Sequence, residues 1–374
     1  MSNYVASHLK DMNRITVYRL FTQSEEVFRG SIAKETGISA PTVLKIVNFM
    51  IENDLVLELG AREGAVGRKP QMLTLNPNAL YTIGIVFEGG YIRAGLMNFC
   101  SELLHLITIP ADSDFCRDAR NCIPQIVQTL VEETGIDAAK LKGIGIGIPG
   151  PYDSNTNTVS YAPLVGIHQP VNLDWLVEWL TETYHVYVVI NNDVNMSVIG
   201  EYHARKMVDD DLMYINVGTG LGAGIILDGK LRSGKNARCG EIGYMTFSIK
   251  DGYHADSEKP GWLEEKTNLQ AIRQLFGSNS TTLKGDNGEL VVHLADYLAL
   301  CIHNMSAVID CQNVVVGGII PEMLGLPLIT AINNRLKDLS IIEVAVTATK
   351  CIGAGVQGAC CEVMEYVVTE LLAQ

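Results

Sequence analysis

Apolar residues along this chain change their period, and each change marks a different kind of structure. From Asn13 to Phe21, the positions Ile15, Val17, Tyr18, Leu20 and Phe21 fall at helical spacing. A second short helix is predicted from about Arg29 to Thr36. A third opens at Ala40-Pro41, where a first turn tolerates proline, and carries Val43, Ile46, Val47, Met50 and Ile51 on one stripe. Between these two, Gly37-Ile38-Ser39 offers a glycine able to take positive φ, an apolar anchor, and a serine placed to cap the next helix. After Asp54 the period shortens to that of strands. Leu55-Val-Leu-Glu-Leu59 and Gln71-Met-Leu-Thr-Leu75 flank a glycine-bearing loop, which predicts two short strands and a turn. Two helices joined by a turn and followed by such a hairpin make a winged helix-turn-helix.

Asn76-Pro77-Asn78 is a turn signal and sets the end of this head, residues 1–78. Beyond it strands and helices alternate. Strands are predicted at Tyr81 to Phe87, Tyr91 to Asn98, Glu102 to Ile109, Leu141 to Ile148, Val186 to Ile190, Asn313 to Gly317 and Ile341 to Thr347. Helices are predicted at Cys116 to Glu133, Leu173 to Tyr184, Leu290 to Ile309 and from about Val356 onward. That alternation is α/β, with ligands expected at the carboxyl ends of strands. Within it, two apolar runs, Leu212 to Val217 and Ala223 to Leu227, flank Gly218, Gly220, Gly222 and Gly224 at alternate positions. The pattern is a β-hairpin whose tight turn lets backbone N–H groups converge, a geometry that can cradle an anion but that serves a plain hairpin equally well.

Composition narrows the classes. The 374 residues suffice for two or three domains with a sizeable core. Hydrophobic residues are 47% and charged residues 19%, with no apolar run of the length a membrane span needs, so no membrane partner is expected. The first ten residues lack a charged start followed by an apolar core, and predict no secretory signal. The nine cysteines are irregularly spaced without a Cys-x-x-Cys pair, which suits a reducing cytoplasm.

The net charge of −14 is unevenly spread. Residues 1–78 carry nine Lys/Arg against eight Asp/Glu, so the body holds all the excess acid. A near-neutral head on an acidic body fits a DNA-reading module fused to a domain that does not touch DNA. The side chains placed to reach bases and phosphates are Ser39, Ala40, Pro41, Thr42, Lys45 and Asn48 on the third helix. The wing adds Arg62, and Arg68 and Lys69 within Gly67-Arg68-Lys69-Pro70, suited to a narrow minor groove.

The glycine hairpin is followed by Gly240-Glu241-Ile242-Gly243 and preceded by Asn192-Asp193. That combination resembles the ROK family (repressors, open reading frames and sugar kinases), and the resemblance runs nearly end to end. The head shares the family repressors' Ala33, Gly37, Ile38, Ser39 turn and their Gly-Arg-x-Pro wing. The resemblance implies a two-lobed actin-like ATPase (ribonuclease H-like) sugar-kinase fold behind the winged helix. One lobe spans 79–191 with the C-terminal helix, about 356–374, returning to it; the other spans 192–355 and carries sugar-binding and dimerisation surfaces. It implies a sugar cleft lined by Gly150, Ala162, Asn192, Asp193, Glu241 and Glu264, with Asp193 matching the base that accepts the sugar hydroxyl's proton in family kinases. It also implies a nucleotide side built from Gly218, Thr219, Gly220, Gly222, Gly317 and Gly318.

Two departures change what is expected. Family kinases open this domain with Asp-x-Gly-Gly-Thr, where this chain reads Val86-Phe87-Glu88-Gly89-Gly90. An aliphatic residue replaces the aspartate and a glutamate replaces a loop glycine, turning negative charge toward phosphate. ATP is therefore not expected as a cofactor, Asp193 is a vestigial base, and the glycines of the nucleotide side are vestigial too. The family's zinc ligands are replaced by Tyr244, Ala255, Ser257 and Trp262, so no zinc is expected. Tyr244 takes the histidine's place at the sugar. The expectation is a sugar-responsive repressor of carbohydrate-metabolism genes without kinase activity. Its partners are operator DNA and a sugar or sugar-phosphate effector, and it forms a homodimer or dimer of dimers. The alternatives are an ATP-dependent sugar kinase, or bifunctional kinase and regulator, with a DNA-binding head, and a ligand-independent dimeric DNA-binding scaffold.

Overall fold

The computed structural model describes residues 2–24, 27–59, 72–248, 259–276 and 288–373. Arg62, Arg68 and Lys69 of the wing, and Ala255 and Ser257, lie outside the described residues. In the head, α1 (Ser2–Gln23), β1 (Val27–Phe28), α2 (Arg29–Thr36), α3 (Ala40–Glu52), β2 (Val56–Leu59) and β3 (Met72–Leu75) follow in order, with the strands paired β1-β3-β2. Helix α1 is longer at both ends than the apolar stripe from Asn13 to Phe21 predicts, because its later packing partner comes from the far end of the chain. Gly37 closes α2 with φ 71°. Ser39 sits at the N-cap of α3, but its hydroxyl does not cap a backbone N–H. Thr42 supplies a competing hydroxyl at 2.8 Å, and the N–H groups of Thr42 and Val43 reach the Ser39 carbonyl instead.

The body repeats one plan twice. In the first lobe, β4 (Tyr81–Phe87), β5 (Tyr91–Asn98) and β6 (Leu103–Pro110) run as an antiparallel meander, followed by α4 (Phe115–Thr134) and β7 (Leu141–Ile148). A small sheet of β8 (Tyr152–Asp153), β9 (Thr158–Val159) and β10 (Val171–Asn172) precedes α5 (Asp174–Tyr184) and β11 (Tyr187–Asn192). The main sheet has the order β11-β7-β4-β5-β6, with β7 and β11 parallel to β4.

Helix α6 (Asp193–Ala204) leads into the second lobe, where β12 (Leu212–Val217), β13 (Leu221–Leu227) and β14 (Lys230–Leu231) form another meander. Then come α7 (Glu264–Thr267), α8 (Leu269–Phe276), α9 (Gly288–Ile309), β15 (Asn313–Gly317), α10 (Ile319–Leu324), α11 (Leu326–Leu339), β16 (Ala345–Ala348) and α12 (Ala354–Ala373). The sheet order β14-β13-β12-β15-β16 matches the first lobe strand for strand. The strand expected at Ile341 to Thr347 is shorter and later, since β15 offers only Asn313 to Val316 for it to pair with.

Each lobe has its own apolar core, one around β4, β7, α4 and α5 and one around β12, β15, α9 and α11. By length and composition α9 is apolar enough to cross a membrane. Its Leu290, Leu294, Leu298, Cys301 and Ile302 stripe instead fills the second core.

Helix α12 returns across the first sheet, and glycine makes that approach possible. A Cβ on Gly145 would stand 2.0 Å from the Ala359 carbonyl oxygen, and one on Gly358 would stand 1.7 Å from that of Met196 in α6. The same helix completes the core of the head. Val363, Met364, Val367, Val368 and Leu372 bury with Val17, Tyr18 and Phe21 of α1 and with Ile46, Val47 and Met50 of α3. The Asn76–Asn78 turn forms, with Ala79 N–H donating to Asn76 O at 3.0 Å, yet apolar packing continues past it.

Candidate functional site

At the end of β11, Asp193 lies within electrostatic reach of Glu88, which follows β4, and of Glu241 in the second lobe. Strand β11 ends and α6 begins at Asn192-Asp193, the pair the sequence singles out. The Asn192 side-chain oxygen accepts from Val194 and Asn195 N–H at 2.9 and 3.1 Å, capping α6, and its amide donates to Gly150 O at 3.0 Å. An amide has two N–H groups, so a second donor remains for a ligand hydroxyl. Gly150 holds φ 114°, and a Cβ there would stand 2.3 Å from Tyr161 O and 3.1 Å from Ala162 Cβ. Gly150, Ala162 and Asn192 are thus drawn together as one wall.

The acids lie within electrostatic reach of one another beside it. Burial, then Glu88 and Glu241, push the Asp193 carboxyl up to about 7. Burial, then Glu241, push Glu264 up to about 7 as well, and Glu241 itself is raised by burial against the pull of Arg238. Glu264 is fitted against Gly220 and Gly243, so it also touches the glycine turn. Carboxyls close to neutral can donate as well as accept hydrogen bonds, which matches the two-sided demand of a sugar hydroxyl. Tyr244 is 45% exposed, and its N–H donates to Glu241 O at 3.3 Å. Trp262, where the resemblance implies a cysteine, is buried edge-on to Phe247 and Tyr297, with ring centroids 5.7 and 5.9 Å away.

Of the residues expected on a nucleotide side, Gly218, Thr219 and Gly220 form the β12–β13 turn, closed by a Gly218 N–H to Gly220 O bond of 2.9 Å, with Thr219 exposed at its tip. Gly222 lies against Val194 of α6. Gly317 pairs beside Asn216 at the end of β15, and Gly318, with φ 98°, starts α10 next to Val217. The corresponding β4–β5 turn differs. Val86 is buried against Gly147, and the Glu88 carboxylate pairs with Arg93 at 3.1 Å. Burial raises the Glu88 carboxyl, and Arg93 opposes that rise. Nothing in the linear pattern pointed to Arg93, which lies five positions on and meets Glu88 only through the hairpin. Among the described residues, no group of three or more His, Cys, Asp or Glu side chains is arranged to hold a metal ion.

In the head, Ser39, Ala40, Pro41, Lys45 and Asn48 are exposed on α3, with Thr42 half-buried. Leu44 shares that face and is 46% exposed. Asn48 accepts from Arg29 at 3.3 Å, and Arg29 also pairs with Glu58 at 2.6 Å. Arg29 was not among the expected contacts, because its place beside α3 depends on the turn between the helices.

Residues 82–365 match the model of the ROK family. A xylose repressor from Caldicellulosiruptor bescii is 29% identical over 252 residues, 65% of this chain and 60% of the repressor. The DNA-binding transcriptional dual regulator NagC of Escherichia coli strain K12 is 24% identical over 239 residues, 63% of this chain and 58% of that protein. The matches thus span about 60% of the length of these curated relatives. Among solved structures, a ROK family transcriptional regulator, homologous to the Escherichia coli MLC protein, superposes with TM-score 0.78 at 20% identity, covering 98% of this chain and 99% of that one. A ROK family glucokinase from Streptomyces griseus in complex with glucose and AMPPNP gives TM-score 0.62 at 23% identity, covering 75% and 98%.

Proposed function

The chain belongs to the ROK family, and from that premise we propose that it is a sugar-responsive, DNA-binding transcriptional repressor whose kinase-derived body no longer transfers phosphate. The observation that carries the proposal is the β4–β5 turn. Val86 puts a buried aliphatic side chain where family kinases hold an aspartate, and Glu88, locked to Arg93, turns a carboxylate toward the phosphate position. Half a phosphate clamp gives little transition-state stabilisation. The cleft keeps everything a sugar needs: Asn192, Asp193, Glu241 and Glu264 supply donors and acceptors, with Gly150, Ala162 and Tyr244 beside them.

In this reading the sugar binds between the lobes and favours one interlobe arrangement. Ser39, Ala40, Pro41, Thr42, Lys45 and Asn48, with Arg62, Arg68 and Lys69 of the wing, contact an operator as part of a homodimer. Sugar binding changes operator affinity only as far as the sugar prefers one arrangement over the other. Relatives named as repressors of xylose and N-acetylglucosamine support this reading and set the first probes.

The kinase alternative draws on one feature, the Asp193 carboxyl near 7, a value suited to a general base. A thermal-shift screen against D-xylose, N-acetylglucosamine and other sugars, each with and without Mg-ATP, separates the two. A sugar that raises the melting temperature equally with and without Mg-ATP supports the regulator. Turnover of ATP that depends on the sugar overturns it.

A further inference from the structure

The three residues at the cleft mouth send their side chains in different directions. Asp193 meets the acids, Asn192 caps α6 and bonds Gly150, and Asn191 turns back into the protein. Its side-chain oxygen accepts from Asn192 N–H at 2.8 Å and from the Asn195 amide at 3.1 Å. Its own amide donates to both oxygens of Glu362, at 3.0 and 3.3 Å. Asn191 therefore holds the backbone of the cleft mouth with one end and α12 with the other. Burial pushes the Glu362 carboxyl up to about 7, with the Asn191 bond opposing that rise and Glu365 adding to it.

From Glu362, α12 runs straight to the head. Glu365 pairs with Arg19 of α1 at 3.0 Å on the surface. Arg14 of α1 donates to Leu372 O at 2.6 Å, and its guanidinium lies over the Phe49 ring of α3, 3.6 Å from the centroid. The apolar side chains of α12 between these points form part of the head's core. The α6–α12 contact is tight as well. Glu201 of α6 accepts from Lys350 and Cys351 N–H at 2.8 and 3.0 Å, in the loop that opens α12. Helices fastened this closely move as discrete bodies rather than deforming.

We propose that Glu362 is a positioning residue that couples the sugar cleft to the DNA-binding head. Its bond to Asn191 sets where α12 stands relative to the first turn of α6. A ligand that shifts Asn192 and Asp193 thereby shifts α12, and with it α1 and α3. The proposal rests on the sugar-sensing reading above.

The test uses the full-length chain and reads the ratio of operator Kd with and without saturating D-xylose, and N-acetylglucosamine in parallel. Glu362→Ala should cut the wild-type ratio, expected at about fivefold or more for a coupled system, to near one, while direct binding of the same sugar changes little. Glu362→Gln, which keeps an oxygen able to accept from Asn191, should restore the response. An alanine variant that keeps the wild-type ratio overturns the proposal, and so does one that loses sugar affinity in step with its response. If the wild type answers neither sugar, the regulator reading is what suffers, and Glu362 is judged by amide exchange. Asn191→Ala should then raise exchange across 359–373 and 10–23, with no further rise when Glu362→Ala is added. Exchange changes confined to 187–200 overturn the coupling.

Discussion

The turn joining β4 to β5 and the turn joining β12 to β13 occupy the same place in two sheets of identical strand order, and they have opposite characters. The first is filled: Val86 is buried against Gly147, Glu88 is paired with Arg93, and α12 lies on the sheet behind with no room to spare. The second is open, with Gly218 meeting nothing closer than the Ile319 side chain at 3.5 Å from an added Cβ, and Thr219 exposed. A duplicated plan thus keeps its backbone while its two turns divide the labour. One ends on an exposed threonine, with the Gly218 N–H and carbonyl both bonded within the second lobe, and the other carries a charged pair against a tightly packed sheet.

The steepest test of that contrast replaces glycine by alanine in each lobe. Gly145→Ala drives a Cβ to 2.0 Å from a backbone carbonyl and should cost about 3 kcal/mol or more in urea unfolding, whereas Gly218→Ala should cost less than about 1 kcal/mol. Similar costs at the two positions would mean that the approach of α12 to the first sheet at Gly145 is looser than the geometry gives.

A second test uses the charge of the filled turn. The Asp193 carboxyl, raised from its ordinary 3.8 to about 7, holds its proton in the folded chain where the unfolded chain has lost it. Its contribution to stability is fully present below about pH 4 and is lost as pH rises through about 7. Asp193→Asn should therefore flatten the decline in melting temperature across that window, by the equivalent of about 4 kcal/mol. Glu88→Gln removes the cause ranked after burial and should draw the upper end of the decline to lower pH. A wild-type slope surviving in Asp193→Asn would detach this carboxyl from the effect.

Third, the double change Val86→Asp with Glu88→Gly copies the family kinases' residues into the filled turn. Mg-ATP should then stabilise the variant by about 1 kcal/mol when present well above its Kd, and should leave the parent unchanged. If the parent is stabilised as much as the variant, the turn does not exclude nucleotide. The smallest effect is expected for Arg93→Ala. The pair it forms with Glu88 is half-buried, so its loss should cost about 1 kcal/mol, read as a shift in urea midpoint.

How much of this was legible in the sequence depended on whether the cause was local. Strands β4, β5, β7 and β15 follow from apolar runs cut by glycine or asparagine, and the α2–α3 turn follows from Gly37. Helix α6 was missed. Its polar Asn195 and Glu201 are buried along with Met196, Val198 and Tyr202, so no apolar stripe marks it out. The family motifs picked out Asn192, Asp193, Glu241 and Glu264, and the acids' mutual effect on their protons required the fold. Neither the Asn191–Glu362 bond nor the Arg14–Leu372 bond leaves any trace in spacing, because their partners stand 171 and 358 positions apart.

That last separation has a consequence for how the molecule is made. The core of the head, near one end of the described residues, is finished by α12, which follows it in the chain by some hundreds of residues. Contacts of such long range form late, after the largest loop has been closed. A nascent or C-terminally shortened chain would carry helix α3 with its supporting side chains uncovered and would hold it poorly. If the head binds an operator as proposed, a chain lacking α12 should bind it more weakly, because the core under α3 would be incomplete.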